Sequence, residues 1–112
     1  MKADAEEDIF EAEVRRVAAA MWPGADGGPA LVSGRERDAV YQTEDVVHLI
    51  ECTTSRLKQK AEKDAEKLVQ LAAQCRRSDS SRLVKAWFIT RDEPTVEQRH
   101  VCKQAKESIA VM

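Results

Sequence analysis

The sequence predicts an α/β domain, with a mixed central sheet, a β-hairpin and flanking helices. Three observations carry this. Residues 4–21 and 55–77 place apolar side chains at helical spacing. The stretch between them, 30–53, has no helical period and holds runs of β-branched and aromatic residues. After the second helix come an apolar run, a helical pattern and another apolar run, the alternation that builds a layered α/β sheet.

The first helix, 4–21, sets Ile9, Phe10, Val14, Val17, Ala18 and Met21 at helical spacing, with acids crowding the first turns, where the helix dipole favours them. Trp22-Pro23-Gly24 ends it, because Pro cannot continue a helix and turns its predecessor away from helical angles. The glycines, Pro23 and Asp26 make 23–29 a loop. Ala30-Leu31-Val32 is a short strand candidate, and 38–42 and 46–52 are stronger ones, with Thr43-Glu44-Asp45 as the hairpin turn.

Helix 55–77 carries Leu57, Ala61, Ala65 (or Asp64), Leu68, Ala72 and Cys75 three or four apart, with Thr54 as its cap. Ser78 to Ser81 break it. Leu83 to Thr90 is nearly continuous in apolar character, as in a central strand. Asp92-Glu93-Pro94-Thr95 opens a last helix to about Ser108, and Ile109 to Met112 reads as the start of another strand. Two or three layers satisfy this order.

The 112 residues make one domain, 1–112. The chain stops inside an apolar run, as a fragment of a longer multidomain protein would, or as a C-terminal strand would. A net charge of -2 excludes a polybasic protein that grips nucleic acid with its whole surface. No run of 18 apolar residues occurs, which excludes a helical membrane span. The acidic N-terminus is the reverse of a targeting peptide. Cys52, Cys75 and Cys102 have no C-x-x-C spacing, and reduced thiols in a cytoplasmic protein are the simplest reading.

A turn centred on Glu44-Asp45 sets Val40 opposite Leu49, Gln42 opposite Val47, and Asp38 opposite Glu51. A three- or five-residue loop would make the acid pair diagonal. Two like charges facing each other destabilise a hairpin unless a cation lies between them, and Mg²⁺ takes one or two carboxylates with water and phosphate oxygens. The alternative is a sheet end bearing two solvated acids.

Gly34-Arg35-Glu36-Arg37-Asp38-Ala39-Val40, then His48-Leu49-Ile50-Glu51-Cys52-Thr53, then a long Lys-rich helix, resembles the PD-(D/E)XK restriction-endonuclease-like superfamily. That family's core is a helix, a hairpin carrying Asp and Glu, a helix and a further strand, and the resemblance covers roughly 5–112. It implies a restriction-endonuclease-like core and a Mg²⁺-dependent (or Mn²⁺-dependent) endonuclease acting on DNA. Asp38 and Glu51 would be catalytic metal ligands, joined by the backbone carbonyl of Cys52. Thr53 stands where the pattern has Lys; in some members the following helix supplies it, here Lys60, or else Lys58. The family's helical Glu would be Glu13, or else Glu11 or Glu7. The variant also resembles nuclease-like effector domains at the N-terminus of bacterial NACHT or STAND NTPases, which implies antiphage defence and either self-association or an NTPase module in cis.

Charge is unevenly spread. Residues 54–77 carry seven basic side chains against Glu62, Asp64 and Glu66, whereas 1–13 carry Lys2 against six acids. Arg56, Lys58, Lys63 and Lys67, with Arg35 and Arg37 ahead of the hairpin, are candidates for phosphate-backbone contact, against the alternative of an ordinary solvated face. Lys60, Asp64 and Lys67 fall on one helical stripe. His48, the cysteines and His100 have no zinc-ligand spacing, and strand parity sets His48, Ile50 and Cys52 on the face opposite Glu51. Gly24-Ala25-Asp26-Gly27-Gly28 lacks the Lys-Ser/Thr and helix of a phosphate-binding loop. From a different functional class, the same sequence fits a catalytically degenerate nuclease-like fold that serves as a DNA-binding or oligomerisation module, with Thr53 as its mark.

Overall fold

A computed structural model describes the backbone of residues 2–23, 26–32, 35–78 and 80–112, and the side chains of 6–23, 40–78 and 80–112. These residues form α1 (Lys2–Met21), β1 (Asp26–Val32), β2 (Arg35–Gln42), β3 (Val46–Thr53), α2 (Lys58–Ser78), β4 (Leu83–Thr90), α3 (Val96–Gln104) and β5 (Ile109–Val111). The strands make one five-stranded mixed sheet in chain order. β1, β2 and β3 are antiparallel neighbours, whereas β4 pairs parallel with β3 and β5 parallel with β4. Parallel neighbours need a crossover, and α2 and α3 supply the two.

Side-chain parity then builds three layers. Val40, Val47, Leu49, Val84, Ala86 and Phe88 face α2 and α3, packing on Ala61, Leu68, Leu71, Ala72 and Cys102. Tyr41, Ile50 and Cys52 face the other way, onto Val14 and Ala18 of α1. The sheet is thus sandwiched by two helices on one side and one on the other. Among the described residues, no helix is long and apolar enough to cross a membrane.

Helix α1 and strand β2 begin earlier than the sequence reading had them, at Lys2 and Arg35, and β1, α2 and α3 differ from it for local reasons. The loop expected over 23–29 gives way to strand from Asp26, so Gly27, Gly28 and Pro29 belong to β1. β1 lies at the sheet edge, where a Pro without an N–H is tolerated. The register shifts there: Gly28 faces Val40 and Ala30 faces Arg37, so Asp38 and Ala39 together oppose Pro29 in a β-bulge.

Helix α2 starts at Lys58 rather than 55, because a tight turn holds the residues before it. Ser55 N–H donates to Thr53 Oγ1 at 3.0 Å and Leu57 N–H to Ser55 Oγ at 3.2 Å. Thr54 therefore does not cap the helix. Helix α3 is shorter than 92–108, beginning at Val96 with a capping box in which Thr95 and Gln98 satisfy each other's backbone N–H. It stops at Gln104, since Ala105 is extended.

Candidate functional site

The hairpin turn is centred on Glu44-Asp45, as the spacing suggested. Thr43 N–H donates to Val46 O at 2.8 Å, and Thr43 Oγ1 accepts from Val46 N–H at 3.0 Å. Val40 faces Leu49 and Gln42 faces Val47, and the paired residues run as far as Ala39 and Ile50. Asp38 and Glu51 are the next residue on each strand, and Asp38 also sits in the bulge against Pro29. The side chains of Asp38, Arg35 and Arg37 lie outside the described residues.

On β3, parity sends Leu49 and Glu51 toward α2. Glu51 is only 2% exposed. Burying an ionised carboxylate costs several kcal/mol unless charge returns it, and here the charge comes from α2. Lys67 Nζ lies 3.7 Å from Glu51 Oε1 and 3.9 Å from Asp64 Oδ1. One turn earlier, Lys60 Nζ donates to Asp64 Oδ1 at 3.1 Å. Asp64 is 0% exposed, on the same helical stripe as Ala61, Leu68 and Leu71. Lys60, Asp64, Lys67 and Glu51 thus form a chain of alternating charge between α2 and β3. The lysine stems cover it, with side chains 33% and 44% exposed.

Across the α2–α3 seam the Cys102 thiol is buried. Burial first and the negative charge of Asp64 second push its pKa up to about 11. It stays protonated near neutrality, which makes it packing rather than a nucleophile.

The carboxyl end of β3 is tied to the first helix by an acid. Thr53 Oγ1 donates to Glu7 Oε1 at 3.1 Å and Thr54 N–H donates to Glu7 Oε2 at 3.1 Å. Thr53 itself is fully buried. Of the three acids that α1 offered, Glu7 therefore reaches this end. Glu13 pairs with Arg16, is exposed, and lies with Val14 and Ile50 on the α1 side of the sheet, away from Glu51. The Cys52 thiol also faces α1, and its backbone sits in register with Ile89.

Arg56, Lys58 and Lys63 are exposed on or just ahead of α2. His48 is on the α1 face, as parity predicts. Its ring stacks on Trp22 at 3.8 Å between centroids, and its Nδ1 accepts from Trp87 Nε1 at 3.1 Å.

The structure thus gathers Glu51 with the Lys60, Asp64 and Lys67 stripe, and sets Glu7 on Thr53 and Thr54 at the end of β3. Asp64 was visible in the sequence as an acid on an apolar stripe, but an acid on a Lys-rich helix reads as solvated. Among the described residues, no group of three or more His, Cys, Asp and Glu is arranged to hold a metal ion. The donors at hand on the α2 side are carboxylate oxygens, the chemistry Mg²⁺ and Mn²⁺ take, and Mg²⁺ needs only one or two of them beside water and substrate oxygens. Glu51 and Asp64 are the buried carboxylates of that donor type among the described residues. The chain matches no protein-family model, no curated protein and no solved structure.

Proposed function

We propose that this domain is a Mg²⁺- or Mn²⁺-dependent endonuclease that hydrolyses DNA phosphodiester bonds. The observation that carries the reading is the buried Glu51 carboxylate beside the Lys67 ammonium, on a hairpin whose register brings Asp38 next in line. The succession α1-β1-β2-β3-α2-β4 supports it, because its helix, hairpin, helix and strand follow the order that the resemblance implies.

Asp38, Glu51 and the Cys52 carbonyl would hold the ion. Bound there, it would offset phosphate charge and acidify a coordinated water. Lys67 and Lys60 place ammonium charge along the same side of α2, where it favours the extra negative charge of a phosphorane-like transition state. Asp64 keeps both lysines on that side. Arg35, Arg37, Arg56, Lys58 and Lys63 would follow the DNA backbone. As an effector, the domain would act in the cytoplasm in antiphage defence, through self-association or an attached NTPase module.

The test is plasmid cleavage with Mn²⁺ by the wild type, Asp38→Ala and Glu51→Gln, with the chain crowded or fused to a dimeriser. Cleavage by the wild type alone is expected. Equal nicking by all three would overturn the reading.

One observation favours a second reading. Thr53 occupies the motif's Lys position as a buried joint to Glu7, a structural use that suits a degenerate nuclease-like domain serving as a DNA-binding or oligomerisation module. DNA affinity without any metal binding would mark that outcome.

A further inference from the structure

We propose that Asp64 is a positioning residue: it shares the Lys67 ammonium with Glu51 and so keeps Lys67 from closing on Glu51, leaving that carboxylate able to take a divalent cation. The inference rests on the reading of Glu51 as a metal ligand, and concerns what regulates access to it.

Asp64 is a costly residue to bury. Asp64 is fully buried on a stripe otherwise filled by Ala61, Ala65, Leu68 and Leu71. An apolar side chain there would pack without any desolvation, and replacing buried ion pairs by hydrophobic residues is often neutral or stabilising. The apolar packing of the stripe gives no reason for a charge at this point of α2; the lysines on either side of it do.

The distances point the same way. An ammonium held by one carboxylate closes to about 2.7–2.9 Å. Lys67 Nζ stands at 3.7 Å from Glu51 and 3.9 Å from Asp64, beyond hydrogen-bond length from both and nearly midway. Two carboxylates on different elements, one on β3 and one on α2, pull it in different directions. Asp64 does not drift toward Lys67, because Lys60 holds the same Oδ1 atom at 3.1 Å from the preceding turn. Lys60 therefore anchors Asp64, and Asp64 restrains Lys67.

The consequence concerns competition for Glu51. A lysine ammonium and a divalent cation neutralise the same carboxylate, so whatever weakens the Lys67–Glu51 contact strengthens the claim of the metal. Without the Asp64 charge, Lys67 would settle on Glu51 as a full charge-assisted hydrogen bond.

Calorimetric titration of the intact chain with Mn²⁺ tests this, with melting curves to show that each variant is folded. Asp64→Asn, nearly isosteric, should weaken Mn²⁺ binding by about tenfold or more, the worth of one charge-assisted hydrogen bond. Lys67→Met, at a half-exposed position that tolerates the change, should bind Mn²⁺ more tightly than the wild type. The double variant should bind like Lys67→Met. Unchanged binding in Asp64→Asn overturns the proposal. So does weaker binding in Lys67→Met, or a double variant as weak as Asp64→Asn, which would make Asp64 a direct ligand. A wild type that binds no Mn²⁺ overturns the metal reading itself and this inference with it, whereas a binding wild type with indifferent variants overturns this inference alone.

Discussion

The two faces of the sheet are built differently. On one, α2 and α3 cover Leu49, Phe88 and Leu68, each at 1% exposure or less, and the buried charges of Glu51 and Asp64 lie within the same layer. On the other, α1 works alone. Phe10, Trp22, Trp87 and Ile89 are only partly buried, and a cavity of about 210 Å³ runs between α1 and the strands. Its more buried polar groups form an aromatic cluster of Trp22, Tyr41, His48 and Trp87, while the ion pairs of α1, Glu13–Arg16 and Glu6–Arg91, are exposed. Charges are kept where packing is dense enough to hold them against each other, since a lower local dielectric strengthens each pair. The loosely covered face uses stacking, which asks less of its surroundings.

This contrast sets the order of expected effects. The largest belongs to the dense face: Phe88→Ala should cost about 3–5 kcal/mol, because closely packed neighbours relax little into the cavity left behind. Val14→Ala on α1 should cost clearly less, since it removes fewer atoms at a site already beside a cavity. Urea midpoints of the two variants measure the difference; equal losses would mean that the two faces are packed alike.

Next is the tie that fastens α1 to the sheet. Glu7→Ala removes acceptors from the Thr53 hydroxyl and the Thr54 N–H and should cost about 1.5–3 kcal/mol. Hydrogen exchange should rise along α1 more than along α2. Thr95→Ala, which breaks the capping box of α3, should lower stability by about 1 kcal/mol and leave α1 unchanged.

The smallest effect is a pH dependence on the α1 face. Burial first, and the charge of Lys85 second, hold the His48 pKa below its usual 6.5. The fold therefore favours neutral imidazole. Its contribution to stability is complete above about pH 6.5, and declines as pH falls through that value toward the lower folded one. Protonation at Nδ1 would also end its acceptance from Trp87. Melting temperature followed from pH 8 to 5 should drop more for the wild type than for His48→Phe. Parallel curves would show that His48 is not coupled to folding.

Much of the fold was legible because its signals are local. β4 runs over the predicted 83–90, and the hairpin register follows from a turn whose centre the sequence marks with Thr43-Glu44-Asp45. The edge strand was not legible. Gly27, Gly28 and Pro29 carry no alternating pattern, and only pairing with β2 makes them strand. Within the site, Glu51 and the stripe of Lys60, Asp64 and Lys67 could be read from spacing. Which lysine meets Glu51 could not, because that depends on how far α2 is slid along β3. The same holds for α1: Glu7, Glu11 and Glu13 are all acids on one helix, and only its docking over the end of β3 selects Glu7 for Thr53. Asp64 and Ala65 were alternatives on the apolar stripe of α2, and tertiary packing buries both.

The proposed function depends on Glu51 binding a cation on the dense face. The most direct measurement is anomalous scattering from a crystal of the chain soaked in Mn²⁺. A peak within coordination distance of the Glu51 carboxylate, on the α2 side of β3, and its loss in Glu51→Gln, is the result expected. Peaks confined to the acids of α1 or to the surface, with none at Glu51, would contradict it.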